Sequence, residues 1–183
     1  MLLSIENIKD GLDKVFLPLE PMINGFRLIE KKTNIHDIKV IEKQLEVTFP
    51  DKFLFLISQY NFGSFTLGPI VFGSSGDYLK DLLVINHSVW WGKGERPNNK
   101  IVIAISDPYT IMLDTEKESI SAFSSEINWN DAKIISSDFI LFFRGIGTIF
   151  LQRNNTDNTK IIANNVSKAV NSKDINFWLK LAE

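Results

Sequence analysis

At 183 residues, 44% hydrophobic and 23% charged, with 14 Phe and 4 Trp to fill an interior, the chain suits a single domain with a substantial core and is not disordered throughout. A formal net charge of -2 supplies no broad positive field, so neither direct nucleic-acid binding nor a membrane partner is expected. With no Cys, disulfides, thiol nucleophiles and cysteine-ligated metals are excluded; no apolar run reaches the roughly 18 residues of a membrane span, Glu6 and Asp10 interrupt any signal-like core, and the expected location is cytoplasmic.

In chain order, Leu3, Ile5, Ile8, Leu12, Val15 and Phe16 follow helical spacing until Pro18 and Pro21 stop it. An extended stretch through Gly25 to Ile29 follows, and Arg27, Lys31 and Lys32 beside Glu30 read as a solvated segment. Ile38, Ile41 and Leu45 then lie on one helical face, with Lys39, Glu42, Lys43 and Glu46 largely off it, and Thr33 or Asn34 caps the start. The residue before Pro50 is pushed out of the helical region, and Pro50 suits the first position of a second helix. There Phe53, Leu54, Leu56, Ile57 and Tyr60 cover more than a narrow stripe, so burial on two sides is expected. Asn61 and Gly63 offer left-handed residues to end it.

Gly68 to Gly73 is a short apolar run read as a buried strand, and Ser74 to Asp77 is a loop whose Ser75 or Asp77 caps a helix bearing Tyr78, Leu82, Ile85 and Val89. Gly92 to Lys100 is aperiodic. Strands at Ile101 to Ile105, Thr110 to Asp114 and Ile120 to Phe123 form an antiparallel meander, with Trp129 and Ile134-Ile135 as candidates for one more. Ser136-Ser137-Asp138 caps an apolar helix from Phe139 that is expected to reach Gly145 or a little beyond. A polar loop at Asn154 to Asn158 leads to one or two terminal helices carrying Val166, Ala169, Val170, Ile175, Phe177, Trp178 and Leu181. The expected fold class is therefore α+β, with a mainly antiparallel sheet flanked by helices.

Candidate chemistry is sparse. His36 and His87 have no second ligand at metal spacing, and His87 with Asn86 and Asp81 reads as a surface or cap arrangement. Gly73-Ser74-Ser75-Gly76 lacks both the nucleophile-elbow and the P-loop spacing. The carboxylate pairs Asp77/Asp81 and Glu116/Glu118 fall where a helix start and a hairpin turn favour acids anyway. No catalytic, cofactor-binding or metal-binding residues are assigned, and no cofactor is expected.

The order of these elements resembles the SMI1/KNR4, or SUKH, superfamily. The resemblance rests on Ile41 to Leu45, on Phe49-Pro50 followed by Phe53 to Tyr60 and Asn61-Phe62-Gly63, and on Ile70 to Gly73. It continues through Asp81 to Asn86, Ile101 to Ile105, Met112-Leu113-Asp114-Thr115 and Ser136 to Phe143. Phe62, where a small residue is usual, and the bulky Trp90-Trp91 depart from the pattern. The resemblance implies a domain at 33–153, between an N-terminal extension at 1–32 and a C-terminal helical extension at 154–183 packed on it. It implies a non-enzymatic protein-binding role, in bacteria as an immunity protein that neutralises a cognate toxin, often a nuclease. The alternative implied by fungal relatives is a regulatory or scaffolding module acting on a cellular enzyme.

Charge and aromatic residues suggest where a protein partner binds. Thr33 to Arg144 holds 14 acidic against 10 basic residues, giving -4, while the flanks hold 8 against 10, giving +2. A mildly acidic centre suits a basic partner. Asp77, Asp81, Trp90, Trp91, Glu95 and Tyr109 are the candidate partner-binding residues, aromatic anchors being the usual hot spots.

Overall fold

The fold, a computed structural model, is described over residues 1–88, 96–124, 129–153 and 158–183. Ser4 accepts the Asn7 N–H and starts α1 (Ile5–Phe16), which ends in a 3-10 turn at Leu17–Leu19. Asn34 accepts the His36 N–H at the head of α2 (Ile35–Leu45), and Glu46, at a φ of +53°, ends it in the left-handed conformation. Pro50 is the N-cap of α3 (Asp51–Gln59) rather than its first helical residue: its carbonyl accepts from the amides of Phe53 and Leu54. Neither Asn61 nor Gly63 is left-handed; α3 stops because Tyr60 turns extended, and there Ile29 to Thr33 runs antiparallel to Ser58 to Asn61.

What Gly63 supplies is close approach. A Cβ there would lie 2.4 Å from the Gly76 carbonyl carbon, and a Cβ on Gly73 would lie 2.5 Å from the Phe62 carbonyl oxygen, so the two loops touch backbone to backbone. Phe62, with Phe65, Phe72, Tyr78, Phe139 and Phe143 around it, forms an aromatic cluster at ring separations of 5.1 to 6.1 Å. The bulk that departs from the family pattern is thus core.

The sheet is an antiparallel meander in the order β1 (Thr66–Leu67), β2 (Ile70–Val71), β3 (Lys100–Ser106), β4 (Tyr109–Asp114), β5 (Ile120–Ser124) and β6 (Lys133–Ser136). The apolar run expected at Gly68 to Gly73 is only the second arm of a small hairpin. Trp129 lies in a 3-10 turn, Trp129–Asp131, and not in a strand. Inserted between β2 and β3, α4 is described over Tyr78–Ser88. One sheet face presents Ile101, Ile103, Ile111, Leu113, Ile120 and Ile135 to the main core. The other carries Val102, Met112 and Phe123 beneath Ile85, Trp129 and Ala132. Burial on both faces explains the unbroken apolar reading of β3.

Helix α5 (Phe139–Gln152) runs well past Gly145. Its glycines do not stop it, because they admit neighbouring helices. A Cβ at Gly145 would lie 2.7 Å from the Trp178 ring, and one at Gly147 would lie 2.5 Å from Ile8 Cδ1. Trp178 belongs to α7 (Ile175–Ala182) and Ile8 to α1; α6 (Thr159–Ala169) adds Val166 beside Gly145. At the other end Asp138 caps α5 through the Leu141 amide and pairs with Lys52 of α3 at 2.9 Å.

Two buried carboxylates fix turns. Glu42, expected off the apolar face of α2, is 5% exposed; it accepts the Phe49 N–H at 2.6 Å and pairs with Lys39, setting the angle between α2 and α3. Asp114 accepts the amides of Glu116 and Lys117 and pairs with Lys100 at 2.7 Å. Burial acts to raise the Asp114 pKa, but the Lys100 hydrogen bond and charge and the turn amides outweigh it, leaving the carboxyl below the usual range.

Two outcomes follow. Gly145→Ala gains up to about 1 kcal/mol of helix propensity and loses about 1–3 kcal/mol to overpacking. Trp178 cannot step aside without breaking its Nε1–H bond to the Ile135 carbonyl at 3.1 Å. A net loss of about 1 kcal/mol is expected from urea unfolding, turning into a gain in a Trp178→Leu background. For Asp114, a depressed folded pKa means that its stabilisation is complete above the ordinary value near pH 4 and is lost as pH falls through the lower folded value. Asp114→Asn is expected to cost about 1–2 kcal/mol near neutral pH, with the two stability curves converging as the pH drops below about 4.

Candidate functional site

Of the candidate residues, Asp77 and Asp81 lie at the start of helix α4. Asp77 caps the helix, its Oδ1 accepting from the amides of Leu79 and Lys80 at 3.1 and 3.3 Å. Asp81 points the other way, its Oδ2 accepting from the amides of Ser74 and Ser75 at 2.9 and 3.2 Å. His87 contacts the Leu83 carbonyl one turn back through Nδ1 at 2.7 Å. The two aspartates thus stabilise the loop and the helix start that hold them.

Asn86, one residue away, has a larger structural role. It is 5% exposed; its Nδ2 donates to the Val102 carbonyl and its Oδ1 accepts the Val102 amide, at 2.9 and 2.8 Å. The same Nδ2 donates to Leu82 O. Strand β3 bulges between Val102 and Ala104, and beyond its single register pair with β2, Val71 to Ile105, it has no strand neighbour on that side among the described residues. Asn86 pairs with Val102 as a strand residue would, and the Tyr78 hydroxyl donates to Ile103 O at 2.8 Å. Burial first, then the Asp81 charge, hold the Tyr78 phenol well above its ordinary value, keeping it a donor. A helix therefore closes the edge of β3.

Tyr109 lies elsewhere, half-buried at the start of β4. Its ring meets Phe177 edge-on at 5.3 Å, and Lys180 Nζ sits 5.4 Å above it, so it lies against α7. Trp90, Trp91 and Glu95, with Val89, fall outside the described residues. Just after them, Arg96 donates to the carbonyls of Leu45, Pro97 and Lys100, joining the end of α2 to the start of β3. Burial lowers the Arg96 pKa, partly opposed by Glu46.

A cleft of about 560 Å³ lies between α2, the end of α3 and the first turns of α4. Its walls include Val40, Ile41, Ile57, Phe62 and Leu83, with His36 beside them, and its charged groups are Lys31, Lys32, Asp37, Asp77 and Lys80. Asp81 lines a smaller cavity of about 210 Å³ between α4, β2 and β3. The structure thus places Asp77 and Asp81 on different cavities, and Tyr109 lines neither. The groups on the α2 side of the cleft were not anticipated: Lys31 and Lys32 read as an ordinary solvated segment.

A family model described as SMI1-KNR4 cell-wall matches residues 35–143, which is 109 of the 183 residues. The chain belongs to this family. No curated protein matches the sequence. The SMI1-KNR4 match begins at the first residue of α2 and ends inside α5, so it takes in α2, α3, the whole meander and α4. The cleft is built almost wholly from the family region, with only Lys31 to Asn34 contributed from just before it. The helices α1, α6 and α7 lie outside the match yet share its core through Ile8, Val166 and Trp178. Among the described residues no three His, Asp or Glu side chains converge as metal ligands, and no helix is long and apolar enough to cross a membrane.

The edge role of Asn86 is open to test. Asn86→Leu leaves the Val102 amide and carbonyl unpaired in a buried setting, at an expected cost of about 2–3 kcal/mol in unfolding free energy. Hydrogen exchange at the Val102 amide should accelerate well before global unfolding; protection as in the unsubstituted protein would show that another group closes this edge.

Proposed function

We propose that this SMI1-KNR4 protein is a non-enzymatic binding domain of the cytoplasm that recognises one protein partner, a cognate toxin, and neutralises it by contact. The observation that carries the reading is the fate of the polar groups around α4. Asp77, Asp81, Asn86 and His87 all contact the chain's own backbone, in positions that build the helix, its loop and the edge of β3. Side chains held in this way are a scaffold for a surface. Family membership supports a domain of the SMI1-KNR4 type, and the open cleft beside α2 supports recognition by shape and charge.

Neutralisation by contact requires a tight, stoichiometric complex, because a toxin left partly free remains active. Co-expression with the product of the neighbouring gene is therefore the direct test. That product is expected to arrest growth when expressed alone, to be harmless when this protein is present, and to co-purify with it in a one-to-one complex. A harmless neighbour, together with capture of several housekeeping proteins, would instead favour the regulatory module.

A further inference from the structure

We infer that the cleft between α2 and α4 is the docking site for an acidic, extended segment of the protein partner; this rests on the protein-binding reading above. Two features carry the assignment. The first is shape: a volume of about 560 Å³ falls in the range that encloses a small ligand or a few residues of peptide. Val40 in its wall is 42% exposed, leaving apolar surface for a bound side chain.

The second feature is charge. Lys31, Lys32 and Lys80 line the cleft, all are exposed, and among the described residues none has a carboxylate within ion-pair distance. Three other lysines of this domain, Lys39, Lys52 and Lys100, are each paired with a buried or nearly buried acid. Two acids also line the cleft. Asp77 has its carboxylate engaged by the amides of Leu79 and Lys80, and Asp37 lies in the first turn of α2, where exposed amides offset its charge. The unmatched charge at the mouth is therefore positive, from lysines on both walls. A basic partner segment would meet like charge here, whereas an acidic one finds counter-ions on either side of an apolar floor.

An extended segment suits the site because the wall formed by Glu30 to Thr33 is itself extended. Its inner edge pairs with Ser58 to Asn61 through the Lys31 and Thr33 amides. Alternate residues of an extended segment turn their backbone groups to opposite edges, so Lys32, whose amide makes none of these bonds among the described residues, offers that edge to a strand laid alongside, whose alternate side chains would reach the lysines and the apolar floor.

The test uses the full chain, ¹⁵N-labelled, titrated with an eight-residue peptide of alternating Asp and Leu, with an alternating Lys and Leu peptide as comparison. The Asp-Leu peptide is expected to shift amide signals within residues 31–41 and 77–83, and the Lys-Leu peptide to leave them in place. The variant Lys31→Glu/Lys32→Glu/Lys80→Glu changes only exposed side chains and should retain the parent melting profile. It should weaken the Asp-Leu peptide at least tenfold, while the reversals Lys160→Glu/Lys168→Glu/Lys173→Glu, on α6 and the turn after it and outside the cleft lining, should not. Shifts outside the cleft, equal response to both peptides, or an unaffected triple variant would overturn the assignment. The co-expression assay separates this from the broader reading. If the parent protein neutralises its neighbour and the cleft variant does so equally well, the cleft is wrong and protein binding stands. If the parent neutralises nothing and captures no one-to-one partner, the broader reading falls.

Discussion

Two missing β-carbons on α5 govern how the ends of the chain join its centre. Phe139, Phe142, Phe143, Ile146 and Ile149 make this helix apolar along most of its length, and it touches the sheet, α1, α3, α6 and α7. At Gly145 and Gly147 the helix has no side chain, and Trp178 and Ile8 occupy the space from two different neighbours. The contact is more than van der Waals contact alone. Trp178 is anchored by its indole N–H on Ile135 of β6, and Arg144 holds the N-terminal strand of chain by donating to the carbonyls of Leu2 and Leu3. A helix of good propensity throughout would have carried alanines here; the loss of up to about 1 kcal/mol per glycine is offset by the packing it admits.

The same economy of closure runs along the sheet. At one end the Thr66 amide donates to Gly25 O; at the other, the segment after α6 covers β6 through Ser137 to Val170 and Lys173 to Ile134 backbone bonds. Where β3 loses its strand neighbour, Asn86 and Tyr78 supply the missing partners. Exposed strand edges invite pairing with other chains, so this closure guards the sheet against it. The open concavity lies instead beside the helices, where the extended segment at Glu30 to Thr33 meets α2 and α4.

Much of this was legible in the amino-acid order. The α2–α3 pair declares itself through Ile38, Ile41 and Leu45, through Pro50, and through the denser apolar face of α3; the meander declares itself through short apolar runs between turn residues. What escaped notice depends on contacts distant in sequence. Gly145 and Gly147 look like a helix end until Trp178, more than thirty positions on, is seen to need the room. Glu42 looks like a solvated residue of α2 until the Phe49 amide turns back onto it. Asn86 looks like a helix-surface residue because nothing local announces that β3 bulges sixteen residues later. The cleft was illegible for a related reason: Lys31 and Lys32 share it with Lys80 only because α4 packs against α2.

That distinction also limits what net charge says about partners. Residues 33 to 144 sum to -4, which on its face suits a basic partner. Yet Glu42, Asp114 and Asp138 are buried against lysines of the same domain, and Asp77 and Asp81 are bonded to nearby amides. The surplus of acid is thus partly internal, serving turns and caps, while the lysines that line the cleft have no ion-pair partner among the described residues. Long-range steering follows the summed charge of a face, but docking follows the charges within a few ångströms of the contact, because salt screens beyond about 8–10 Å. A partner that is basic overall and carries one acidic segment satisfies both conditions. Its encounter would be guided by the domain's net charge and its register set by the lysines of the cleft.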